Sequence, residues 1–171
     1  MVERVGILVV SYGSRAAAMI EAFSRSREYE VELYVADKQR NPFNLRMAKE
    51  HVVIPSLDVE EIFKFAKRHK ERLDFGIVGP EKPIIAGVRD LIEGELGVPM
   101  VCPTRKYAIE GSKVAQRLLF EKVAPEVNPR FRVFDPKDYS GLEDVKRDLY
   151  RWLDELENKV AVKPDAPAAG K

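Results

Sequence analysis

Val5-Gly6-Ile7-Leu8-Val9-Val10, running directly into Ser11-Tyr12-Gly13-Ser14-Arg15, is the stretch on which the fold turns. The first six residues are apolar without alternation. That predicts a strand buried on both faces, as in a parallel sheet covered by helices on either side. A polar, glycine-bearing turn ends the run. Arg15 to Arg27 then predicts a helix, with Ala16, Met19, Ile20 and Phe23 on one face and Ser14 placed to cap its first turn.

The same alternation continues outward. Strands are expected at Val31–Ala36, His51–Ile54, Phe75–Val78 and Val98–Cys102, with Asp37 to Asn44 as a surface loop. Asp58 and Glu61 suggest a capping box for a helix with Val59, Ile62, Phe63 and Ala66 in a stripe. Lys64, Lys67, Arg68 and Lys70 lie off that stripe and read as a solvated face. Ile84 to Ile92 predicts a further helix. Five strands alternating with helices imply an α/β fold, a Rossmann-like parallel sheet with right-handed crossovers over residues 1–104. Ligands of such sheets sit beyond the carboxyl ends of the strands, where Gly13 and Gly79 fall.

After Thr104 the pattern changes. Residues 105–171 read as a separate piece: a helix from Ser112 to Lys122, a strand at Phe131–Phe134, a long helix, and a strand at Val160–Lys163 before a small-residue tail. Leu142, Val145, Leu149, Trp152, Leu153 and Leu156 share one stripe of the long helix, which makes Trp152 a core residue.

Composition narrows the function. Of 171 residues, 45% are hydrophobic and 33% charged, a globular balance. Lys and Arg total 29 against 28 Asp and Glu, so no overall field draws the chain to nucleic acid or an anionic membrane. Any anion must be held locally. A lone Cys102 excludes an internal disulfide, and two histidines, His51 and His69, give no zinc spacing. The opening apolar run is too short to span a bilayer and lacks a cleavage site, so a cytoplasmic protein is expected.

Three places can carry chemistry. Ser11–Arg15 has the position of an anion-cradling turn at a helix start, although with one glycine it is not a dinucleotide fingerprint; the alternative is a plain tight turn with a solvated Arg15. Gly79-Pro80-Glu81 follows another buried strand, so Glu81 is either a surface carboxylate or a group that holds hydroxyls or an amine in the same crevice. Lys113, at a helix start after Gly111, and Lys163 are either surface lysines or a pair bracketing a polyphosphate.

Taken together, Asp74-Phe-Gly-Ile-Val-Gly-Pro-Glu-Lys-Pro-Ile-Ile-Ala-Gly-Val88, Cys102-Pro-Thr-Arg-Lys-Tyr-Ala-Ile-Glu-Gly-Ser-Lys113 and Val162-Lys-Pro-Asp-Ala-Pro-Ala-Ala-Gly-Lys171 resemble the phosphoribosylamine glycine ligase family in order and separation. The resemblance implies an ATP-grasp ligase of purine synthesis, with residues 105–171 as the beginning of the ATP-grasp domain. In that family ATP phosphorylates glycine and the amine of 5-phosphoribosylamine attacks the acyl phosphate. By the same resemblance Lys113 and Lys163 hold ATP, Gly170 and Lys171 begin the loop over its phosphates, and Gly13, Arg15, Gly79, Pro80 and Glu81 face the phosphoribosylamine.

The family's ligands for magnesium or manganese, its glycine site and its carboxy-terminal domain lie beyond the position of Lys171. The chain therefore resembles the amino-terminal portion of a longer ligase and is not expected to turn over alone. A non-catalytic nucleotide or sugar-phosphate module, or one subunit of a split ATP-grasp protein, are the alternatives. Two departures stand out. Ser11, Tyr12, Gly13, Ser14, Arg15, Ala16 and Ala17 replace a glycine run followed by Arg-Glu-His, and Pro164, Ala166 and Pro167 stiffen the approach to the last loop while Asp165 is kept.

Overall fold

Strand β1 (Glu3–Ser11) lies at the centre of a five-stranded, all-parallel sheet in a computed structural model that describes residues 2–167. The others are β2 (Tyr29–Asp37), β3 (Glu50–Val53), β4 (Phe75–Val78) and β5 (Met100–Val101), in the order β3-β2-β1-β4-β5. The chain winds outward from β1 to β3, then crosses to β4 on the other side. Strand order reverses between β1 and β4, so a crevice opens at their carboxyl ends. Registers Ser11↔Asp37 and Val10↔Val78 fix which residues meet there.

Both faces of the sheet are covered, which is why β1 is apolar throughout. Ile7, Val9, Leu33 and Val35 pack with Ile20 of α1 (Gly13–Ser24). Leu8, Val10, Tyr34 and Ala36 face the opposite way, onto Ile62 of α3 (Val59–Arg68) and Ile92 of α5 (Val88–Leu96). Each such fully buried aliphatic side chain contributes about 1.5–3 kcal/mol relative to exposure, so the sheet is the main source of stability.

Several expectations are corrected. Helix α1 starts at Gly13 and ends at Ser24, and its N-cap is Tyr12, with no side-chain cap; Ser14 is already inside the first turn. The segment read as loop contains α2 (Pro42–Met47), because the Asn41 carboxamide accepts from Phe43 N at 3.0 Å and Pro42 suits a first helical position. In α3 the expected cap holds: the Asp58 side chain accepts from Glu61 N at 3.1 Å. Phe65, outside the expected stripe, is buried there as well. The helix expected at 84–92 is two, α4 (Glu81–Ile85) and α5, parted at Gly87 with φ +90°.

By contacts the chain divides into two compact units, Met1–Ala108 and Ile109–Lys171. Residues 105–108 stay with the sheet because Arg105 N donates to the Asp90 carboxylate at 2.8 Å. The second unit holds α6 (Lys113–Val123) and α7 (Leu142–Glu155), and among its described residues there is no strand. Phe131–Phe134 and Val160–Lys163 are irregular, since a strand needs a neighbour to satisfy its backbone groups and none is present. No residue of α7 is buried. Trp152 is half-buried, a platform for the guanidinium groups of Arg130 and Arg132 at 5.0 and 5.9 Å from its ring, and so is not a core residue.

Cys102, half-buried after β5, gives one test of this packing. Burial pushes its thiol up from an ordinary 9.0 to about 11. At pH 8 its thiolate fraction should be about 100-fold lower than an exposed thiol's. Because a thiolate of higher pKa is also the stronger nucleophile, disulfide exchange with a chromogenic reagent should run roughly 10-fold slower in the folded chain than in urea; equal rates would mean β5 is not docked.

Candidate functional site

Two turns meet at the strand reversal. Gly13, with φ +61°, lets the chain leave β1 and enter α1 within two residues. The Gly79 amide donates to Val10 O at 2.9 Å, fastening the turn after β4 beside β1. Arg15 then reaches across, its Nη1 donating to Gly79 O. A Cβ on Gly79 would stand 2.6 Å from Ser11 Oγ and 2.8 Å from Arg15 Cδ, so this approach needs glycine. Pro80 is buried as the N-cap of α4, and Glu81 is half-buried at its first position.

Ser11, Tyr12, Gly13, Ser14 and Arg15 line a depression of about 190 Å³. The first amides of α1 and the positive end of its dipole face this turn. Ligand pockets for drug-sized molecules are usually about 300–1,000 Å³, so this volume fits one group of a ligand, such as a phosphate. A larger cavity of about 410 Å³ lies at the amino ends of the strands, lined by Val5, Ile7, Phe23, Val31 and Phe75. It is mostly apolar and distant from the carboxyl ends where this fold does its binding.

One polar cluster escaped the sequence reading. Asp37, at the end of β2, is 0% exposed. Its Oδ2 accepts from Asn44 Nδ2 at 2.7 Å and its Oδ1 from Gln39 N at 3.2 Å, with His51 Nε2 3.6 Å away. An acid ending the second strand of a Rossmann-like sheet often reaches a ribose hydroxyl. Here the carboxylate is instead committed to holding α2 against β2. The signal was available in the Asn41-Pro42 helix start, which turns Asn44 inward.

In the second unit, α6 begins with Ser112 as N-cap, its Oγ accepting from Ala115 N at 2.9 Å. Asp165 closes over this helix start: its carboxylate accepts from Val114 N at 3.0 Å and from Ser112 Oγ at 2.9 Å. Those bonds, the one from Val114 first, hold the Asp165 carboxyl below the ordinary carboxylate range. Lys113 Nζ donates to Ala166 O, which brings Lys113 to the tail. Lys163 is exposed and is not bonded into this cluster among the described residues. Gly170 and Lys171 lie outside the described residues. Among the described residues no group of three or more His, Cys, Asp or Glu could hold a metal ion, and no helix is long and apolar enough to cross a membrane.

Comparison with known proteins bears on this geometry. Residues 5–110 match the family model described as phosphoribosylglycinamide synthetase, N domain. Phosphoribosylamine–glycine ligase of Pyrococcus furiosus is 36% identical over 98% of this chain and 35% of its own length. That of Methanopyrus kandleri is 36% identical over 96% of this chain and 34% of its own length. The chain thus spans about a third of the curated relatives it matches. N5-carboxyaminoimidazole ribonucleotide synthetase from Thermotoga maritima superposes with a TM-score of 0.52 at 16% identity, over 95% of this chain and 44% of that one. N5-carboxyaminoimidazole synthetase from Staphylococcus aureus, complexed with ADP, gives 0.55 at 10% identity, over 70% of this chain and 30% of that one. At these identities the structures speak to the fold alone.

Proposed function

The chain belongs to the phosphoribosylglycinamide synthetase N-domain family, and on that premise we propose that it forms the amino-terminal, sugar-phosphate-binding part of a phosphoribosylamine–glycine ligase. In this reading the ligase phosphorylates the glycine carboxylate with ATP, and the amine of 5-phosphoribosylamine displaces phosphate from the glycyl phosphate. Neither the turn over ATP nor the glycine site is assigned to the first unit. Its task is to hold the amine-bearing sugar phosphate in place.

The observation that carries the reading is the junction of two turns at the strand reversal, inside the matched stretch. The amides of Gly13 to Arg15 are aimed as donors for the phosphate. Arg15, bonded to Gly79 O, locks the two turns at a set separation. Glu81, half-buried across the crevice, would accept from a ribose hydroxyl or from the amine, keeping that nitrogen oriented toward the acyl carbon. In the second unit, Lys113 and Lys163 would meet the ATP phosphates. Lys113 then exchanges its bond to Ala166 O for phosphate. A divalent magnesium or manganese ion would neutralise the transferring phosphoryl group. Among the described residues no cluster of carboxylates, histidines or cysteines supplies a site for it.

Ribose 5-phosphate, which keeps the phosphate and hydroxyls and lacks the labile amine, tests the first unit. Titrated into the labelled chain, it should shift the amides of Gly13, Ser14, Arg15 and Gly79. Glu81→Ala should weaken it about 10-fold and leave ATP affinity unchanged. Shifts confined to the apolar cavity around Phe23 and Phe75, or none, would overturn the assignment.

A further inference from the structure

The anion-facing turn has a cation that neither the motif nor its neighbours explain. Lys38 is the first residue after β2, and the register Ser11↔Asp37 sets it beside Tyr12. Its ammonium lies over the Tyr12 ring, 5.1 Å from the centroid. Tyr12 is the N-cap of α1 and 40% exposed, so the ring stands at the rim of the Ser11–Arg15 depression and carries the ammonium there.

Two neighbouring charges are accounted for. Arg15 is bonded to Gly79 O and braces the turns. The Asp37 carboxylate, next to Lys38 in sequence, is fully buried and spent on Asn44 and Gln39 N. Lys38 Nζ has neither a hydrogen bond nor an ion pair among the described residues, as is true of several other surface lysines; what distinguishes it is that the ring beneath it, Tyr12, lines the depression. Deeper in the depression, Ser11 is 0% exposed and its hydroxyl has no hydrogen-bond partner. Unpaired buried hydroxyls are costly and call for an explanation. A run of helix amides and an unpaired hydroxyl line one small volume, and the ammonium of Lys38 lies over the Tyr12 ring that borders it.

We propose that Lys38 is a ligand-binding residue of this site, contributing the mobile cation to a phosphomonoester held at the α1 amino terminus, and that Tyr12 is the positioning residue that keeps its ammonium over the turn. This rests on the sugar-phosphate reading above and adds a residue to it. An ammonium held on an aromatic face keeps much of its charge available and loses less freedom on meeting a phosphate than one sweeping through solvent. Tyr12, where the family resemblance leads one to expect glycine, thereby has a function: it narrows the depression and brings a charge with it.

Ribose 5-phosphate affinity of the 171-residue chain, measured calorimetrically at low and moderate salt, decides. Lys38→Ala should weaken binding about 10-fold and flatten its salt dependence; Lys38→Arg should keep most of the affinity. Tyr12→Ala should weaken binding by a smaller factor, restored in Tyr12→Phe. Tyr12→Ala should also abolish the ring-current shift of the Lys38 ε-methylene protons, which Tyr12→Phe keeps together with the affinity. Both side chains are exposed, so the variants should melt within about 2 °C of the parent. If Lys38→Ala binds like the parent while Arg15→Ala binds poorly, this proposal falls and the sugar-phosphate reading stands. If the parent chain does not bind ribose 5-phosphate, the reading falls and takes this proposal with it.

Discussion

Gly6→Ala should destabilise the first unit by roughly 3 kcal/mol or more, lowering its melting temperature by about 12–24 °C. A Cβ built on Gly6 stands 1.7 Å from the Arg72 carbonyl oxygen and 2.8 Å from its carbon. Both atoms are backbone and cannot swing away. The segment is also tied on both sides, with Asp74 N donating to Gly6 O at 2.8 Å and Gly6 N donating to the Asp74 carboxylate at 2.7 Å. Alanine must therefore push the approach to β4 off β1, and β4 carries Gly79 with it. Gly94→Ala is the control, because nothing lies within 4 Å of its Cβ in the interior of α5. There alanine should stabilise by about 0.5–1 kcal/mol through backbone entropy. Thermal melts of the two variants should move in opposite directions; a Gly6→Ala melt equal to the parent's would refute the packing of residues 72–74 on β1.

Asp37→Ala should cost about 2–3 kcal/mol and leave the second unit untouched. Asn44 is fully buried and its Oδ1 already lacks a partner. Removing Asp37 would leave the Nδ2 group unpaired as well, at about 1–3 kcal/mol for the buried amide. The sign is decided by a double replacement. Asp37→Val with Asn44→Leu removes the Asn44–Asp37 donor and acceptor together and should recover part of the loss, the remainder being the Gln39 amide and the His51 ring nitrogen left without the carboxylate. Chemical denaturation measures both. A double variant no better than Asp37→Ala would mean that the cluster's value lies in something other than its internal hydrogen bonds. The same variants report on the site, because Lys38 follows Asp37 and inherits its position from it.

Why the alternation was readable is clear from β1 and β4. A strand buried on two faces has no polar positions to interrupt it, so Val5–Val10 and Phe75–Val78 stood out as runs, and β4 was read to the residue. Helix α3 was read from a local device, the Asp58 cap, that acts over three residues. Misreadings came where a local signal had two meanings. Asn41-Pro42 marks a loop or a helix start, and burial of Asn44 against Asp37 selects the second. Gly87 in a helical pattern is tolerated or breaks it, and its φ of +90° breaks it. Phe131–Phe134 has the composition of a strand and no neighbour to pair with.

At the candidate site, the placement of Gly13, Arg15, Gly79 and Glu81 was legible because they occupy the turns after β1 and β4, and chain order alone puts those turns at the carboxyl edge. Their roles were not. Whether Arg15 is free or braced depends on Gly79 O, 64 residues away. Lys38 looked like one more loop charge until the register of β1 with β2 set it over Tyr12.

By itself, then, the sequence determined a parallel α/β sheet and its two crevice-forming turns, since solvent exposure and local capping act on residues a few positions apart. Tertiary structure alone decided which groups are spent and which remain for a ligand. Pairing of strands and approach of backbones bring together atoms from distant parts of the chain, as Arg72 O against Gly6 shows, and no local pattern records their distances.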